Sequence, residues 1–93
     1  MKNLYFQRST GEYLLIRENI KDVDTALAEI SAFLNRHNYK SYYTRYSIKD
    51  DIVTFDVGSW TEFFVLAAAD KIDQDKIVGT EKNFIDREEE NKC

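Results

Sequence analysis

Residues 36–49 combine tyrosines with fixed positive charges more densely than any other part of the chain. The segment contains four tyrosines and four Lys or Arg residues, and it contains no acidic residue. In an extended strand the side chains alternate between two faces, so Tyr43, Arg45, Ser47 and Lys49 would share one face. Such a row can stack on bases and hold phosphates, and it can equally form the centre of a protein-binding surface.

Three interpretations of this segment stay open. It is an ordinary strand whose cations pair with acids such as Asp56 or Glu18, or a surface for a protein partner, or a nucleic-acid-binding surface. The last is favoured least, because attraction to phosphates grows with the number of neutralised charges and the chain carries a formal net charge of −4. The candidate partner-binding residues are Tyr43, Arg45, Ser47 and Lys49, with Arg36 and Lys40 beside them and Trp60 in a separate apolar segment.

The residue types that catalysis usually needs are few in this sequence. Its single histidine, His37, lies near the end of a predicted helix, where packing or a helix-terminal charge accounts for it. The only cysteine, Cys93, is the last residue. The acids between positions 50 and 62 are explained by turn and cap positions better than by metal binding. We therefore predict a non-enzymatic protein without catalytic, cofactor-binding or metal-binding residues.

Composition predicts where such a protein would work. One cysteine allows no disulfide within the chain, which favours a reducing compartment. The longest apolar run covers residues 63–69, and a membrane-spanning helix needs about 20 apolar residues. We expect a small acidic cytoplasmic protein that does not enter a membrane.

Residues 3–7, Asn-Leu-Tyr-Phe-Gln, resemble the core of the sequence that tobacco etch virus protease recognises. Lys2 and Arg8 stand where that sequence usually has Glu and a small residue. The segment is therefore either the remnant of an expression tag or a native strand. Alternation of Leu4 and Phe6 with their neighbours favours the native strand, which a Gly-containing turn would join to a second strand over 12–18.

The periodicity becomes helical after this hairpin. Apolar residues at positions 23, 27, 30 and 34 lie on one face of a helix, and Asp22 or Asp24 can cap its first turn. The spacing predicts a helix over 23–37. Strands over 42–48 and 52–57 then flank the polar turn 49–51, with Val53, Phe55 and Val57 directed to the core.

A second helix is expected to begin near Trp60. Ser59 and Glu62 have the spacing of a capping box, and an apolar run follows them. The order hairpin, helix, hairpin, helix predicts an α+β fold, in which two β-hairpin-helix units form a four-stranded antiparallel sheet with both helices on one face. Residues 1–85 would form this single domain, and residues 86–93 a flexible acidic tail.

These features favour one function over another. The first hypothesis is a small protein-interaction module, an inhibitor or regulatory factor of the phage, immunity or antitoxin type, that binds a partner protein or another copy of itself. The alternative is a nucleic-acid-binding module that uses the basic and aromatic segment 36–49. Exposed aromatic residues and separated charges motivate the first, and local positive charge motivates the second.

Overall fold

A computed structural model describes residues 1–41 and 43–84 of the chain. Within these residues it contains one α-helix and six β-strands in a single mixed sheet. The strands and the helix, in chain order, are β1 Lys2–Gln7, β2 Tyr13–Ile20, α1 Val23–Arg36, β3 Arg45–Lys49, β4 Ile52–Asp56, β5 Phe63–Ala67 and β6 Ile77–Thr80. The prediction for residues 86–93 lies outside the described residues.

The strands lie in the order β3-β4-β5-β1-β2-β6 across the sheet. Neighbouring strands are antiparallel except β2 and β6, which are parallel. The predicted fold class, with two helices on a four-stranded antiparallel sheet, is therefore wrong. The broader prediction of an α+β protein is roughly consistent with the structure, which has one helix on a sheet-rich fold.

The error lies mainly in residues 63–67, which form β5 and not a second helix. The predicted cap exists locally, because Ser59 Oγ accepts a hydrogen bond from the Glu62 amide at 3.2 Å. It closes a turn that leads into a strand. Phe64, Val65, Leu66 and Ala67 are all buried, because β5 lies between β4 and β1 and both of its faces are covered. A strand buried on both faces is as uniformly apolar as a buried helix, so a short run cannot separate the two.

Strand β1 lies inside the sheet, paired with β2 on one side and β5 on the other. Leu4, Tyr5 and Phe6 are almost completely buried. Residues 3–7 therefore belong to an interior strand of the sheet, and this segment is integral to the fold.

Helix α1 covers one face of the sheet. Asp22 caps it by accepting a hydrogen bond from the Thr25 amide at 2.8 Å, as its sequence position predicts. Ala26, Ile30 and Phe33 are buried against the sheet, which contributes Phe55 and Phe64 among others. Aromatic rings from α1, β1 and β5 meet at its centre, with the Phe6, Phe33 and Phe64 centroids 5.2–5.9 Å apart.

The opposite face of the sheet has a smaller apolar cluster. Tyr5, Val65 and Ala67 lie buried there with Ile72, which comes from the segment between β5 and β6. That segment contains two short 3₁₀ turns, Ala69–Lys71 and Gln74–Lys76. Both faces of the central strands are therefore buried, one under α1 and the other partly under this irregular segment.

Candidate protein-binding edge

Strand β3 forms one outer edge of the sheet, and all five of its residues are exposed. A turn through Asp50 and Asp51 joins it to β4, as the sequence predicts. Both residues have positive φ, 52° and 66°, which is typical of the two-residue type I′ turn. This turn fixes the register, pairing Arg45 with Asp56 and Lys49 with Ile52.

Arg45 lies in contact with two of its neighbours. Its guanidinium carbon is 4.7 Å from the centroid of the Tyr43 ring, and its Nη2 atom is 3.4 Å from both the Tyr43 hydroxyl and Asp56 Oδ2. The sequence places Tyr43 and Arg45 on one face and names Asp56 as a cross-strand partner, and the structure brings all three together. The surface combines an aromatic ring with a partly neutralised cation.

Ser47 and Lys49 continue along β3 on the same side of the strand as Arg45. Ser47 pairs with Thr54, and Lys49 lies next to the turn at the far end of the hairpin. Lys2 Nζ binds Asp51 Oδ1 at 2.9 Å across that end. The row from Arg45 to Lys49 is therefore present as predicted, but acidic side chains stand at both of its ends.

Arg36 lies away from this row. Its guanidinium donates two hydrogen bonds to the carboxylate of Glu81, at 2.9 and 3.0 Å, and Glu81 directly follows β6 at the other edge of the sheet. His37 Nε2 lies 2.7 Å from the same carboxylate. Burial raises the pKa of Glu81, but the hydrogen bonds from Arg36 and His37 outweigh it and the net pKa lies below its ordinary value. Arg36 thus belongs to a structural ion-pair group.

Lys40 and Trp60 lie at the end of the sheet where β4 ends. Lys40 is exposed in the connection between α1 and β3, and Trp60 is 96% exposed in the loop between β4 and β5. The two segments are tied together, because the Tyr39 hydroxyl donates to Glu62 Oε1 at 2.7 Å and Ser41 Oγ donates to the Val57 carbonyl at 3.3 Å. Trp60 therefore projects at the same end of the sheet as Tyr43.

Tyr46 and Ile48 complete this surface, and they are absent from the candidate residues. Alternation places them on the face that turns toward the core, yet they are 49% and 63% exposed. The Tyr46 ring packs against Phe55, at a centroid distance of 5.7 Å, and β3 is an outermost strand of the sheet. Nothing in the local pattern indicates that β3 is an outermost strand.

Exposed apolar side chains are concentrated at this edge and at the adjoining end of the sheet. The large hydrophobic residues that are exposed in the described part of the chain are Met1, Tyr43, Tyr46, Ile48, Trp60 and Val78. Four of the six belong to β3, the residues just before it or the β4–β5 loop. We call Tyr43, Tyr46, Ile48 and Trp60 the apolar edge.

Residues 1–41 and 43–84 contain no group of three His, Cys, Asp or Glu side chains placed so that they could hold a metal ion. The described chain also has no helix that is both long and apolar enough to cross a membrane.

Comparison with known proteins gives no relative. The sequence matches no family model and no curated protein, and the fold matches no solved structure with significance. The argument for function therefore rests on the geometry of this chain.

Proposed function

We propose that this chain is a small non-enzymatic interaction module that binds a partner protein through the β3 edge of its sheet. The observation that carries the proposal is the concentration of exposed apolar side chains in the apolar edge. Exposed aromatic side chains gain much free energy on burial and lose little conformational entropy, so they are enriched in protein interfaces. An inhibitory or regulatory role would fit a chain of 93 residues that acts by binding alone.

Charge supports a protein partner over nucleic acid. Of the cations that the alternative function requires, Arg36 lies at the other edge of the sheet, where two hydrogen bonds hold it to Glu81. Ion-paired side chains attract phosphate less, because a nearby carboxylate repels it. The alternative remains a nucleic-acid-binding module built on the basic and aromatic segment 36–49.

Affinity capture from the source cells tests the proposal. Wild-type protein is compared with the variant Tyr46→Ser/Trp60→Ser and with a control variant, Val78→Ser, which removes an exposed apolar side chain from β6. A specific partner should be retained by the wild type and by the control and be lost from the double variant. A partner retained equally by all three would contradict the proposal.

Light scattering with single-stranded DNA tests the alternative. Binding that depends on phosphates weakens steeply as salt rises and declines in Lys49→Ala. We expect no complex with DNA at physiological salt. A DNA complex that dissolves as salt rises would favour the alternative, and the same run shows whether the protein self-associates.

A further inference from the structure

The outer edge of β3 offers main-chain hydrogen-bonding groups as well as side chains. In the two-residue turn, Lys49 and Ile52 form the hydrogen-bonded pair that closes the hairpin. Because such pairs alternate along an antiparallel ladder, Arg45, Ser47 and Lys49 direct their main chain to β4. The amides and carbonyls of Tyr46 and Ile48 therefore point away from the sheet, where an added strand could pair with them.

A second copy of β3 is a poor occupant of this edge. Antiparallel pairing about Ser47 would set Arg45 of each copy opposite Lys49 of the other. These residues would form non-hydrogen-bonded pairs in the new ladder. In such pairs the Cα atoms and the side chains lie closest together. Like charges placed directly opposite destabilise a sheet, and charged residues on edge strands commonly prevent self-pairing.

The same two cations define the charge of a complementary strand. Arg45 and Lys49 lie on one face of β3, which has no acidic residue of its own. An acidic residue of the added strand opposite Arg45, and a second one opposite Lys49, would each form a close cross-strand charge pair. Arg45 is 71% exposed and is 3.4 Å from Asp56, so it can bind a second carboxylate on its outer side.

The other face of β3 calls for apolar side chains. Tyr46 pairs with Phe55 and Ile48 pairs with Val53, and both of these β4 residues are buried. Ile48 also lines a cleft of about 540 Å³, together with Val23 and Val53. Apolar residues of an added strand, opposite Tyr46 and Ile48, would extend this covered apolar surface.

From these observations we infer that β3 accepts an extended segment of the partner protein as a seventh, antiparallel strand. The segment has five residues with the pattern acidic, apolar, polar, apolar, acidic. Its acidic residues face Arg45 and Lys49, and its apolar residues face Tyr46 and Ile48. This inference rests on the proposed function and names the class of partner segment that the edge binds.

A labelled peptide tests the inference directly. The probe is fluorescein-Gly-Gly-Glu-Val-Thr-Val-Glu-Gly-amide, and its binding is followed by fluorescence anisotropy. We expect saturable binding that is at least about 10-fold tighter than that of the peptide with Lys in place of both Glu residues, because two close charge pairs change sign. Equal binding of the two peptides, or no binding of either, would overturn the inference.

Backbone methylation separates strand pairing from simple attraction of charges. In the antiparallel register both valine amides donate to β3, whereas the threonine amide points away. N-methylation of both valines should therefore abolish binding, and N-methylation of the threonine should leave most of it. Equal loss from the two changes, or greater loss from the threonine change, would refute antiparallel pairing. This test needs no variant of the protein.

Charge reversal in the protein supplies the reciprocal test. The variant Arg45→Glu/Lys49→Glu should reverse the preference, so that it binds the Lys peptide more tightly than the Glu peptide. Lys76→Glu/Lys82→Glu changes the net charge equally at exposed positions away from β3 and should leave the preference unchanged. Exchange in both double variants would show that net charge alone selects the peptide and would overturn the inference.

The two proposals can fail independently. If the peptides do not bind but the Tyr46→Ser/Trp60→Ser variant still loses its captured partner, the edge binds a folded surface, so strand addition fails while the proposed function stands. If the peptides do not bind and capture is unchanged in that variant, both fail.

Discussion

The β6 edge of the sheet is packed against the rest of the chain, whereas the β3 edge is exposed. At the β6 edge a short strand is followed by the 3₁₀ turn Glu81–Asn83, which Arg36 and His37 tie to the end of α1. Phe84 then packs against Phe6 and Phe33, with centroids 5.1 and 4.9 Å apart. At the β3 edge every residue of the strand is exposed.

This difference separates the edge that contributes to stability from the edge that we propose to bind a partner. At the β6 edge, ion pairs of Glu81 and aromatic contacts of Phe84 hold the end of the sheet to α1 and to the core. The β3 edge keeps aromatic and apolar side chains exposed, although their burial would stabilise the fold. Exposed apolar patches are common at interaction sites, which is the role that we propose for the β3 edge.

The largest loss of stability is expected from a substitution at the β6 edge. Phe84→Ala should lower the free energy of unfolding by about 2–4 kcal/mol, because Phe84 is partly buried against four aromatic rings. Tyr46→Ala at the other edge should lower it by less than about 1 kcal/mol, since half of that side chain is already exposed. Urea unfolding of the two variants checks the contrast, and similar losses would contradict it.

A smaller effect follows from the ion pairs of Glu81. Glu81→Gln should destabilise the protein by about 1–2 kcal/mol at neutral pH, because it removes the charge that binds Arg36 and His37. The pKa of Glu81 is lowered from its ordinary value of 4.5, so its stabilising contribution is present above that pH and is lost as the pH falls through the folded-state value.

Unfolding measured between pH 3 and about 7 tests this linkage. The difference in stability between wild type and Glu81→Gln should shrink as the pH falls below the ordinary Glu81 pKa of 4.5. A difference that stays constant down to pH 3 would show that the carboxylate charge contributes nothing at this edge. Asp70→Asn, which removes a negative charge from an exposed position in the 3₁₀ turn Ala69–Lys71, serves as a control for general effects of charge.

The smallest expected effect is a gain in stability from a substitution in the turn beside β3. Asp50 has a φ of 52°, a conformation that glycine adopts without strain. Asp50→Gly should stabilise the hairpin by about 0.5 kcal/mol, because the strain it relieves slightly exceeds the added entropy of the unfolded chain. Thermal unfolding should show a rise of a few degrees, and the affinity for the Glu peptide should not fall. A loss of stability would mean that the turn is not strained.

Sequence reasoning succeeds in this protein where a pattern is local. The periodicity and the Asp22 cap predict α1 to within one residue, and the polar turn predicts the β3–β4 hairpin. It fails where the environment comes from distant residues. The run Phe63–Ala67 is a strand because β1 and β4 flank it, and β6 has too few apolar residues for its parallel pairing with β2 to be foreseen.

The candidate site shows the same division. Arg45, Ser47 and Lys49 form the predicted row because strand alternation is a local property, whereas Tyr43 precedes the strand and reaches the row only through its contact with Arg45. Arg36 is adjacent in sequence but lies at the other edge, since the end of α1 binds Glu81. Tyr46 and Ile48 could not be recognised as exposed, because only the strand order shows that β3 has no outer neighbour among the described strands.

The interior position of β1 has a consequence for how the chain folds. Asn3 pairs with Ala67, so one side of the first strand lacks its partner until most of the chain is available. Closing so long a loop costs entropy before the contacts repay it, and topologies rich in such pairings fold slowly. During synthesis the β1–β2 hairpin, with its apolar side chains uncovered, must wait for β5. Its protection from aggregation in that interval depends on α1, which follows immediately and can cover one of its faces.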